Sequence, residues 1–148
     1  MNYPNKMQKA AFFVGVMFVA VGVLGFVPGV TTGFDDLDIA GHESGAKLLG
    51  LFQVSVLHNL VHMGYGLAGM ALAKTYLSAA RYFLYGGIIY LVLFLYGLVI
   101  DKDSSANFVP LNSADNLLHV GLGAGMIGIY LLLRKDGAGA NDGTTAKI

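Results

Sequence analysis

Apolar residues gather in four long blocks separated by polar stretches: Ala10–Pro28, Leu48–Ala73, Tyr82–Ile100 and Leu111–Leu133. A helix needs about 20 mostly apolar residues to cross roughly 30 Å of hydrocarbon, so each block predicts a membrane span. The first and third are apolar almost throughout. The second and fourth carry polar residues in their first halves, and those departures are where function is sought. Lys6 and Lys9 precede the first block as they would in a signal peptide. That block nevertheless exceeds the roughly 7–15 residues of a secretory apolar core, and Val27-Pro28-Gly29-Val30 after it offers no small-x-small cleavage site. A retained span is expected.

Composition agrees with this pattern. Of 148 residues, 55% are hydrophobic and 12% charged, about half the charged share of an ordinary soluble domain. The absence of cysteine excludes disulfides, iron–sulfur ligation and thiol nucleophiles. Nine basic residues balance nine acidic ones, so no net field marks a nucleic-acid binder. The expectation is an all-α integral membrane protein, a four-helix bundle occupying residues 1–135. Residues 136–148, rich in Gly, Ala, Asn and Thr, are expected to form a flexible tail.

Seven of the nine basic residues (Lys6, Lys9, Lys74, Arg81, Arg134, Lys135 and Lys147) fall on one side of this topology, against Lys47 and Lys102 on the other. The positive-inside rule then places both termini in the cytoplasm of a bacterial inner membrane and leaves two acidic loops outside.

The second and fourth blocks repeat each other. Ser55-Val-Leu-His58-Asn59-Leu-Val-His62-Met-Gly64-Tyr-Gly66 aligns with Asn112-Ser-Ala-Asp115-Asn116-Leu-Leu-His119-Val-Gly121-Leu-Gly123. The first and third blocks resemble each other more weakly, with Gly15 and Gly25 opposite Gly86 and Gly97. Two related hairpins in the same orientation are expected, with the second and fourth helices facing each other across the core. The glycines read first as close-packing positions.

Ser55, His58, Asn59 and His62 share one helix face, as do Asn112, Asp115, Asn116 and His119. Polar stripes facing lipid would leave costly unsatisfied groups, so both should turn inward. At about 1.5 Å per residue, His62 lies about 18 Å above Lys74, in the outer half of the bilayer. Below it the stripe ends, which disfavours a through-channel or small-molecule transporter.

His58, His62, His119 and Asp115 could supply three nitrogens and one oxygen to zinc or copper. Ser55, Asn59, Asn112 and Asn116 would then stand behind them, with the asparagines fixing the imidazole tautomers. His62 and His119 could instead serve as axial ligands to haem. The bland alternative is a structural subunit: His58 pairs with Asp115 and Asn59 with Asn116, setting helix register without a ligand. No nucleophile–base arrangement appears, so no enzyme is expected. The expected partners are the lipid bilayer and a second copy or another membrane protein.

Three stretches carry a resemblance to a known family: Phe26-Val-Pro-Gly-Val-Thr-Thr32, Leu49-Gly-Leu-Phe-Gln-Val-Ser-Val-Leu-His-Asn-Leu-Val-His62 and Asn107-Phe-Val-Pro-Leu-Asn-Ser-Ala-Asp-Asn-Leu-Leu-His119. With their spacing they cover nearly all of Ala10 to Leu133. At these residues the chain resembles domain of unknown function 4383, a family of small four-pass bacterial membrane proteins. The resemblance implies an inner-membrane protein with four helices, and it brings no biochemical role with it.

Overall fold

A computed structural model describes residues 3–137; the expected tail lies outside the described residues from residue 138 onward. Among the described residues there are four helices: α1 (Lys6–Leu24), α2 (Val56–Leu72), α3 (Tyr76–Val99) and α4 (Ser113–Leu133). Between α1 and α2 sits a small antiparallel sheet in the order β1 (Thr31–Thr32), β2 (Lys47–Leu48) and β3 (Phe52–Gln53). Thr31 pairs with Leu48, and Leu48 with Phe52.

The sheet corrects an expectation. The apolar block Leu48–Ala73 does not form one helix, because its first residues fold into strands. A short apolar run cannot by itself distinguish strand from helix. The backbone decides the matter at Leu49 and Gly50, whose φ values of 55° and 71° break any helix and turn β2 into β3. Three helices, α1, α3 and α4, remain long and apolar enough to cross a membrane. At 17 residues α2 is shorter, about 25 Å at the usual rise.

The helices pack as two antiparallel pairs, α1 against α2 and α3 against α4. Glycine makes each close approach. A Cβ on Gly15 would lie 2.6 Å from the Gly66 carbonyl oxygen, and one on Gly87 would lie 3.0 Å from that of Gly123. A Cβ on Gly25 would overlap the Asn59 side chain, and one on Gly97 would overlap Asn116. One constant shift carries Gly15, Phe18 and Gly25 onto Gly87, Tyr90 and Gly97. Gly87, not Gly86, is therefore the counterpart of Gly15.

Between the pairs, α1 and α3 approach each other more closely than α2 and α4 do. This is the reverse of the expected central crossing. Bulky aromatics explain it: Phe18 of α1 stacks on Tyr90 of α3 at 5.7 Å, and Tyr65 of α2 packs edge-on to both. Tyr82 is buried in this cluster beside Tyr65.

Candidate functional site

Helix capping puts the histidines in place. Ser55 caps α2, its hydroxyl accepting from the His58 backbone N–H at 3.1 Å. The Val56 and Leu57 amides donate to the carbonyls of Asp38 and Ile39, each at 2.9 Å, so the loop between α1 and α2 satisfies donors that a helix start leaves open. His58 and His62 thus stand on successive turns under that loop.

Asn112 caps α4 and accepts from the Ala114 and Asp115 amides at 2.8 and 3.0 Å. The Asp115 carboxylate accepts in return from the Asn112 amide at 2.9 Å, closing a capping box, and from the Gln53 amide at 3.1 Å. Both bonds are accepted by Oδ2, a charge-assisted arrangement that ties the carboxylate to these two amides. Asp115 therefore holds α4 to the sheet and does not join the imidazoles as the sequence suggested. Ser55 and Asn112, expected on the stripes, are caps.

The imidazoles do come together. His58, His62 and His119 are buried, at 5, 8 and 5% exposure. All three line one cavity of about 130 Å³. His58 Nε2 lies 3.0 Å from His62 Nε2, so one ring donates and the other accepts. The carbonyls of Gln53 and Pro110 face His58. His119 lies across the cavity, its ring 5.4 Å from that of Tyr90. Among the described residues it makes no hydrogen bond through either ring nitrogen, and its Nδ1 is fully buried. Tyr90, which lines the same cavity, makes no hydrogen bond through its hydroxyl among those residues. No three His, Asp or Glu side chains among the described residues converge as a ready metal-binding group.

The expected register network does not form. Asn59 and Asn116 do not pair across the interior; each lies on the glycine of its own hairpin, Gly25 or Gly97. Asn59 Nδ2 and Asn116 Oδ1 are buried without partners.

Sequence reasoning missed the parts played by Phe18 and Gln53. The signal for Phe18 was available. Under the shift that aligns Gly25 with Gly97, Phe18 falls on Tyr90, and each ring packs on the histidine of its hairpin, His62 at 5.6 Å and His119 at 5.4 Å.

The family model described as Domain of unknown function (DUF4383) matches residues 8–132. The chain belongs to this family. The match covers all four helices apart from the first two residues of α1 and the last residue of α4. No curated protein and no solved structure matches the chain.

Proposed function

We propose that this DUF4383 member is a four-pass inner-membrane binding protein, a bundle of two related hairpins that holds a small ligand among His58, His62 and His119. The observation that carries this reading is His119. An imidazole buried without any hydrogen bond is left unsatisfied at a cost of about 1–3 kcal/mol, and this one lines a cavity. The cap of loops above it and the aromatic cluster of Phe18, Tyr65 and Tyr90 below it favour a closed site over a transport path. The missing His58–Asp115 and Asn59–Asn116 pairs weaken the purely structural alternative.

Cavity size sorts the ligands considered from sequence. At about 130 Å³ it approaches the roughly 150 Å³ of an engineered cavity that takes up benzene. A haem, with four pyrrole rings, is far larger. Zinc or copper is the second reading. Two nitrogens bound tetrahedrally at about 2.0–2.1 Å stand about 3.4 Å apart, close to the 3.0 Å between His58 and His62.

Native mass spectrometry of gently extracted protein, with elemental analysis for zinc and copper, tests the proposal. The expected result is bound extra mass in the wild type that is lost in His119→Ala. Bare protein in both samples, with no metal taken up after incubation with zinc or copper, would refute it.

A further inference from the structure

The cavity is closed along the axis of the molecule. On the outer side, the Gly41 amide bonds the Phe108 carbonyl at 2.7 Å, and the Asn112 side chain donates to the Leu51 carbonyl at 2.8 Å. Gln53 is tied to Asp115 and to the His42 and Ser44 carbonyls. These bonds seal the loops over the histidines. On the inner side lies the stack of Phe18, Tyr65, Tyr82 and Tyr90.

One direction is left. Each hairpin packs tightly within itself, and α2 meets α3 only lightly. The remaining cavity wall is formed by Val61 of α2, Leu93 and Tyr96 of α3, and Phe108 and Val109 of the following loop. Val61 and Phe108 are 50 and 58% exposed, so this wall reaches the outside of the bundle. It does so on a flank where Ile89 and Val92 also present bare apolar side chains. In a membrane that flank meets acyl chains. Tyr96 bonds the Ala106 carbonyl at 2.7 Å close to the end of α3, which puts the opening near the outer boundary of the hydrocarbon.

Three chemical facts then meet in one cavity: an apolar opening toward lipid, room for about one six-membered ring, and two polar groups without hydrogen-bond partners among the described residues, His119, whose Nδ1 is buried, and Tyr90. An inorganic ion would reach this site only by crossing hydrocarbon, whereas an uncharged ring with a greasy tail would enter along it. A ring oxygen would satisfy the Tyr90 hydroxyl and a His119 nitrogen, and apolar walls with a few placed polar groups are how small-molecule sites gain orientation. Resting on the ligand-binding reading above, we infer that the site takes the head of a lipid-soluble, single-ring phenol or quinol, which enters from the outer leaflet between α2 and α3.

The test uses the full chain in lipid nanodiscs, with 4-heptylphenol as probe, heptylbenzene as the oxygen-free control and zinc chloride as the ionic one. Binding is read from the probe-dependent rise in melting temperature. The expected result is saturable protection by heptylphenol, at least tenfold weaker affinity for heptylbenzene, and at least tenfold weakening in both Tyr90→Phe and His119→Ala. Val61→Trp, at a lipid-facing position that leaves every imidazole in place, should block the opening and abolish protection. Equal binding of the two probes, or undiminished heptylphenol binding in Val61→Trp, would overturn the inference. Zinc protection that depends on His119, with none from heptylphenol, would leave the ligand site standing and remove the lipid-borne ring. Protection by no probe, together with bare protein by mass spectrometry, would remove both.

Discussion

The two hairpins use the same frame and differ at its head. In each, a glycine admits the partner helix, an asparagine lies on a second glycine, and an aromatic ring packs on a histidine. Ser55 and Asn112 cap the corresponding helices. Three residues beyond each cap the hairpins part. His58 turns to His62 in the first, while Asp115 in the second turns to backbone amides of its own cap and of Gln53. One copy of the position faces the cavity and the other fastens the cap. The lesson is that packing residues tolerate little change once two backbones touch, whereas a residue at the mouth of a helix can take a new task.

The largest effect expected from this comparison is at the glycine contacts. A Cβ on Gly66 would meet backbone atoms, the Gly15 oxygen at 2.5 Å and the Val19 nitrogen at 2.6 Å, whereas on Gly123 its nearest neighbours belong to the Leu91 side chain at 2.8 Å. Backbone cannot rotate away. Gly66→Ala should therefore cost about 3 kcal/mol and Gly123→Ala about 1 kcal/mol in denaturant unfolding, within the usual range for overpacking. Equal costs would show that the two contacts are alike after all.

A smaller loss is expected at the divergent position. Asp115→Asn removes the charge from two hydrogen bonds to backbone amides and should lower stability by about 1–2 kcal/mol. The same unfolding assay on Ser55→Ala, which loses a single cap bond, should show about 1 kcal/mol. If Asp115→Asn is neutral, the carboxylate is not what fastens the cap to α4.

The smallest change in stability should come from Tyr90→Phe, which gives the second hairpin the ring that the first has at Phe18. Because the hydroxyl makes no hydrogen bond among the described residues, removing it should alter stability by less than about 0.5 kcal/mol. A loss above 1 kcal/mol would mean that the hydroxyl has a structural partner.

Much of this was legible in the amino-acid order. Period and composition gave α1, α3 and α4, and the matching strings around Asn59-Leu-Val-His62 and Asn116-Leu-Leu-His119 indicated that these faces are buried. Three things were hidden. The strands at Lys47–Leu48 and Phe52–Gln53 lay inside an apolar run whose turn is set by Leu49 and Gly50 in left-handed conformations, which hydropathy does not register. Asp115 was misread because a carboxylate on a histidine face resembles a ligand, whereas its partners are amides supplied by a distant strand and by its own cap. The crossing order was lost for a similar reason. Rings as large as those of Phe18 and Tyr90 set which helices meet, and spacing along the chain says nothing of size.

On the four-pass reading, the brevity of α2 has a consequence for the lipid itself. A helix of about 25 Å falls short of roughly 30 Å of hydrocarbon, so the sheet that replaces its missing turns would sink into the acyl boundary or draw the bilayer thinner around it. The tips of that region are greasy, with Ile39, Leu49 and Leu51 exposed at 80, 64 and 58%. They would serve as a rim of anchors, and thickness mismatch of this kind sorts proteins among membranes. The protein should accordingly settle in thin or locally compressed patches, with its pleated collar wetted by lipid.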